Sequence, residues 1–135
     1  MKQIFKLKFS FTLISHSLKS IFYRYHSDKI NIIKQLMPGP KVVIDVGAHA
    51  GQVSKMISRA FSKKVKIIAI EPGLYARFIL RLSIFFNRLN NIDVLPFAVS
   101  DEQGFSFLNI PEKRKNSLGF GLSHMSNNHE DFTDR

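Results

Sequence analysis

The chain has 135 residues, of which 44% are hydrophobic, with no Cys and a formal net charge of +10. That length suits one domain with enough apolar residues to bury a core. The missing thiols exclude a disulfide framework, a thiolate metal site and a cysteine nucleophile, and they suit a cytosolic protein.

The charge is uneven. Residues 1–41 carry Lys2, Lys6, Lys8, Lys19, Arg24, Lys29, Lys34 and Lys41 against Asp28 alone, a net +7, and the rest of the chain carries +3. Such a segment matches an anionic partner: a lipid surface, a nucleic acid or an acidic protein. The stretch MKQIFKLKFSFTLISHSLKSIFYRY mixes Phe, Ile and Leu with Lys at helical intervals. Its longest uncharged run, between Lys8 and Lys19, contains His16 and several Ser. It falls short of the ~20 apolar residues a membrane span needs. No small-residue cleavage site follows it, so it does not read as a signal peptide. The expectation over 1–37 is a basic helical segment packed on the domain, with residues 1–27 offering a peripheral contact to an anionic membrane surface. Nucleic acid ranks below lipid, because the Phe residues lack the spacing of a base-stacking platform.

Ile30, Ile33 and Leu36 or Met37 recur at helical spacing after Asp28, a candidate N-cap, and Pro38 to Pro40 end that helix. Lys41 to Val46 is a short, nearly all-apolar run, as in a strand buried on both faces of a parallel sheet. Gln52 to Phe61 reads as a helix with Val53, Met56, Ile57 and Ala60 inward. KVKIIAI (Lys64 to Ile70) is a second buried strand, closed by Glu71 and Pro72. Leu74 to Leu89 reads as a helix with Phe78, Leu82 and Phe85 inward and Arg77, Arg81 and Arg88 outward. Ile92 to Val99 is a third strand, with Pro96 marking an edge position or a break. Asp101 to Gly104 is a turn, Phe105 to Ile110 alternates as half of a hairpin would, and 111–135 is a polar tail.

The order β-α-β-α-β is one half of a doubly wound, Rossmann-like α/β sheet over 38–110, with right-handed crossovers. Ligands of such sheets sit outside the carboxyl ends of the strands. There VVIDVGAHAGQVSK leaves the first strand and enters a helix. A dinucleotide fingerprint reads G-x-G-x-x-G, whereas this loop reads Gly47-Ala48-His49-Ala50-Gly51 and lacks the middle glycine. Asp45 just before it would repel a pyrophosphate and attract an ammonium group. Glu71 ends the second strand twenty residues after Gly51, where an acidic residue accepts hydrogen bonds from a ribose diol. Glu71 alone fits either NAD or S-adenosyl-L-methionine (SAM); Asp45 with the G-x-x-x-G loop favours SAM. The bland alternatives are Glu71 as a strand-end carboxylate capping the next helix and His49 as a solvent-facing loop residue.

VVIDVGAHAGQVS, IIAIEPG and NNIDVLPFAVSDEQG, taken together and in order, resemble the three successive blocks of the FkbM-type SAM-dependent methyltransferases. The resemblance covers roughly Pro38 to Ile110. It implies the class I methyltransferase fold, SAM as cofactor, and O-methylation of a hydroxyl on a sugar, polyketide or other small or cell-envelope molecule. By the same resemblance Asp45, Gly47, Ala48, His49 and Gly51 would frame the methionine end of SAM, Glu71 would hold the ribose hydroxyls, Pro72 would lie against the adenine, and Ala98 and Val99 would complete the adenine pocket. Ser83 stands where the family often has Asn.

The family continues into a fourth strand with an Asp-x-Glu-Gly-type block, and the sequence through Arg135 contains no such block. The sheet is therefore expected to be incomplete and the chain to represent a cofactor-binding fragment. No residue stands out as the catalytic base; His124 and His129 read as tail residues, and no metal-ligand spacing appears. Two other classes fit parts of the sequence: a non-catalytic nucleotide-binding module, and a basic protein of membrane surfaces built on a vestigial α/β fold.

Overall fold

The computed structural model describes residues 13–23, 29–39, 41–105, 107–109, 112–114, 117–118 and 124–126. Two compact units divide at Ala98 and Val99. The first unit opens with helix α1, described over 13–22, followed by α2 (Ile30–Leu36). The alternation β1 (Val42–Val46), α3 (Gln52–Ala60), β2 (Lys66–Ile70), α4 (Leu74–Phe86) and β3 (Ile92–Leu95) comes next. The three strands form a parallel sheet in the order β1-β2-β3, with Asp45 opposite Ala69 and Ala69 opposite Val94. The α/β class that the sequence predicts is thus observed, as a three-stranded parallel sheet with helices.

Register partners in adjacent strands face the same way, so Val43, Ile67, Ala69, Ile92 and Val94 share one side of the sheet. Ile67 and Ala69 are fully buried there, in one cluster with Met56 and Ile57 of α3 and Leu80 of α4. Two crossovers of one hand running in one direction place both helices on that face. The opposite side of β1 stays open: Val42, Ile44 and Val46 are 54%, 60% and 59% exposed. The expectation of a strand buried on both faces is thus corrected, because β1 is an edge strand of this sheet with one face open. β3 ends at Leu95, where Pro96 removes the next backbone donor, and it is the other edge.

Helix α2 lays Ile30 and Ile33 against the core, with Met37 rather than Leu36 as the third half-buried residue. Its N-cap is Lys29, and Asp28 lies outside the described residues. In α3 the inward residues are Ser54, Lys55, Met56, Ile57 and Ser58, whereas Val53 is exposed. In α4 the inward residues are Ala76, Ile79, Leu80 and Ser83, while Phe78 and Phe85 face outward and Leu82 is half-buried. Of the three arginines expected outward, Arg81 and Arg88 are exposed, and Arg77 folds back to donate to the Glu71 and Pro72 carbonyls. At the amino end of β2, Ser58 donates to Asn91 (2.7 Å) and Asn91 donates to the Val65 carbonyl (2.7 Å), so these buried polar groups are paired.

In the second unit, β4 (Phe107–Asn109) pairs antiparallel with β7 (His124–Ser126), and β5 (Glu112–Arg114) pairs with β6 (Ser117–Leu118). The expected hairpin is therefore corrected: β4 joins a strand fifteen residues further on, inside what reads as a polar tail. His124 sits in β7, and His129 is outside the described residues.

Gly51 is the tightest point of the first unit. It caps α3 in the left-handed region (φ +78°), and a Cβ there would lie 2.1 Å from Leu80 Cδ1. The left-handed backbone strains any side chain here and the end of Leu80 must give way to it, so Gly51→Ala should lower the stability by about 1–3 kcal/mol in a denaturant titration. A loss under about 0.5 kcal/mol, the range of an ordinary surface substitution, would contradict the packing described.

Candidate functional site

The carboxyl ends of β1 and β2 lie side by side, and the two loops that leave them are bonded to each other. The Ile70 carbonyl accepts from Gly47 N–H (2.9 Å) and from Ala48 N–H (3.0 Å). The Glu71 carboxylate completes the join: Oε2 accepts from His49 N–H and Oε1 from Gly73 N–H, each at 2.8 Å. Glu71 is 7% exposed, so its charge is held by two backbone donors rather than by water. Gly73 is the N-cap of α4, which gives the helix-capping reading of Glu71 a real counterpart. The same carboxylate also fastens the glycine loop, and each oxygen keeps a second lone-pair position for a hydroxyl donor.

Asp45 points toward α3, where its carboxylate accepts the Ser54 hydroxyl in the helix's first turn. Gly47 has φ +71° with open space beside its Cα, and Gly51 closes the loop with an N–H to the Ala48 carbonyl (2.8 Å). The N–H groups of Gly47, Ala48, His49 and Gly51 are thus all taken by protein acceptors. A loop that cradles a pyrophosphate offers such groups to the ligand; this one spends these four on the protein itself.

His49 is not solvent-facing. It is half-buried at φ +49°, and its Nε2 is the buried side-chain atom without a hydrogen-bond partner among the described residues. Pro72 is half-buried beside Glu71. Ala98 and Val99 are exposed, on either side of the boundary between the two units, beyond the end of β3. The structure therefore brings Asp45, Gly47, Ala48, His49, Gly51, Glu71 and Pro72 to one end of the sheet, and it leaves Ala98 and Val99 as exposed connecting chain.

The sequence gives no sign that α1 belongs to this neighbourhood. Its Ser20 hydroxyl donates to the Ala50 carbonyl inside the glycine loop (2.8 Å). Its last carbonyls are capped by one buried ammonium: Lys55 Nζ donates to Ser20, Ile21 (3.3 Å) and Tyr23 (3.0 Å). Ser83 adds a hydrogen bond to the Ser20 carbonyl (3.1 Å) and Asn87 one to Ile21 (3.2 Å). On the same helix, His16 Nδ1 lies 2.9 Å from the Tyr75 hydroxyl in the first turn of α4, two residues past Gly73. Burial lowers the His16 pKa, assisted by Lys19 and His49, and burial raises that of Tyr75. Among the described residues no group of three His, Asp or Glu is set to hold a metal ion.

No family model matches the chain, and comparisons with curated proteins and with solved structures return no match.

Lys55 gives a pH signature for the docking of α1. Burial, and secondarily Arg59, lowers its pKa from 10.5 to about 8. Between those values the unfolded chain binds more protons than the folded one, so this residue's contribution to stability rises with pH across the window and is lowest below it. Thermal unfolding at about pH 7 and about pH 9.5 should show the chain gaining stability relative to Lys55→Met. A difference that stays constant over that range would place Lys55 in water.

Proposed function

We propose that the first unit is the cofactor-binding part of a SAM-dependent methyltransferase acting on a hydroxyl group of a small or cell-envelope molecule. The observation that carries this reading is the Glu71 carboxylate bonded to His49 N–H, which makes the acidic end of β2 and the glycine loop of β1 a single site. A ribose diol fits the remaining lone pairs of Glu71, and the ammonium of a methionine moiety fits the Asp45 carboxylate at the start of α3. Asp45 and the absence of a middle glycine in Gly47-Ala48-His49-Ala50-Gly51 favour this ligand over a dinucleotide, whose pyrophosphate a carboxylate would repel. The fit is chemical, and it asks for local movement: at 7% exposure, Glu71 meets a ligand only when its cover shifts.

SAM would supply an electrophilic methyl group on a sulfonium. The acceptor hydroxyl must be aligned with it and lose a proton as its oxygen attacks. The open face of β1, with Val42, Ile44 and Val46, and its edge, unpaired among the described residues, are available to an acceptor or a further chain segment.

Calorimetric titration with SAM and, separately, with NAD tests the proposal. SAM should bind and NAD should not, and Asp45→Ala and Glu71→Ala should each weaken SAM by about tenfold or more, the loss of one charge-assisted hydrogen bond. Equal binding of both ligands would favour a general adenosine-binding module. No binding of SAM by a chain shown to be folded would end the methyltransferase reading.

A further inference from the structure

Helices α1 and α4 lie side by side, and the seam between them is apolar. A groove of about 320 Å³ runs along it, lined chiefly by Ile14, Leu18 and Phe22 of α1 and by Phe78, Leu82 and Phe86 of α4. These side chains are displayed rather than covered: Phe22 is 75% exposed, Phe86 60% and Phe78 48%. Contiguous apolar exposure of this kind marks a binding surface.

Charge decides what the surface binds. Lys19 on α1 and Arg81 on α4 are both exposed on the two helices that form the groove. The sequence holds no Asp or Glu from Met1 to Ser27, nor from Pro72 to Ile92, and Lys2, Lys6 and Lys8 lie within the first of these stretches. A second copy of the chain is a poor occupant, because each copy carries +10 and like charges would meet at the seam. A nucleic acid would match the cations and leave the phenylalanines against phosphate. A bilayer with anionic headgroups matches both, taking apolar rings at the acyl boundary and cations among the phosphates. Among the described residues no helix is long and apolar enough to cross a membrane, so the contact is with a surface.

We propose that the α1–α4 face docks on an anionic phospholipid bilayer, with Phe22, Phe78 and Phe86 entering the interface and Lys19 and Arg81 contacting headgroups. The claim is independent of the methyltransferase reading. It also extends the docking surface beyond the basic N-terminal segment to α4, about fifty residues away in sequence.

Sedimentation of the full chain with vesicles tests it, using phosphatidylcholine alone and phosphatidylcholine with about 30% phosphatidylglycerol. The chain should bind only the anionic vesicles. The double variant Phe22→Ser/Phe86→Ser should bind about tenfold less or weaker still, and Lys19→Glu/Arg81→Glu should also lose binding. Leu36→Ser, at an equally exposed apolar position on α2, should bind as the parent does. Far-UV circular dichroism of each variant confirms folding, and all four substituted residues of the two double variants are exposed. Absence of binding to the anionic vesicles would overturn the proposal, as would binding unchanged in Phe22→Ser/Phe86→Ser. A stable dimer that this double variant dissolves would assign the face to a second copy and overturn it equally.

Discussion

Glu71 is the residue on which the site depends. A carboxylate 7% exposed in a half-sheet is costly unless its oxygens are occupied, and here the donors are the backbone N–H groups of His49 and Gly73. Because those donors belong to the loops after β1 and β2, the cost of burying one charge is offset by the crosslinking of two chain segments. The loop after β1 then needs left-handed backbone at Gly47, His49 and Gly51 to bring His49 N–H to the carboxylate. Gly51 meets a second demand, since Leu80 fills the space its Cβ would take. Sheet register, loop conformation and the packing of α4 are therefore linked through a few atoms.

The N-terminal helix is tied to this arrangement from the other side. A helix of this length is marginal alone, and α1 is held by polar partners at its carboxyl end: Lys55, Ser83 and Asn87 on its carbonyls, and its own Ser20 on Ala50. The result is a helix whose buried residues are Ser17, Ser20 and Ile21 and whose other apolar residues, such as Ile14, Leu18 and Phe22, remain on display. Ser20 of α1 meets the glycine loop, His16 four residues earlier meets Tyr75, and the flank of the helix forms the apolar seam with α4. The proposed surface contact and the proposed ligand site thus share one element.

The three strands and the glycine turn were legible because continuous β-branched runs bounded by Gly, Pro and acidic residues have few other solutions. The inner faces of the helices were not. In α4, apolar residues occur all round the helix, so periodicity cannot choose between Phe78 with Phe85 and Ile79 with Leu80; the close approach of α1, with Ser83 bonded to Ser20, goes with the face of Ala76, Ile79, Leu80 and Ser83 being the inner one. In α3, Ser54 and Lys55 displace Val53 from the interior because Asp45 and the carbonyls of α1 give their polar groups partners. Those partners lie nine to thirty-five residues away, beyond any local pattern. The contact of His16 is hidden in the same way, since its partner Tyr75 lies fifty-nine residues on. The strands of the second unit have two or three residues each, too short for a period to register.

The central claim is that the Glu71-bonded loop is a ligand site for an adenosyl amino acid. Backbone amide shifts in a ¹⁵N-labelled chain titrated with SAM test it most directly, since the amides of His49 and Gly73 both report on the Glu71 carboxylate. The account predicts saturable shifts at Gly47, His49, Gly51 and Gly73, with Val65 and Ile92 at the far end of the sheet unmoved. Shifts confined to other surfaces, or none at saturating SAM, would contradict it.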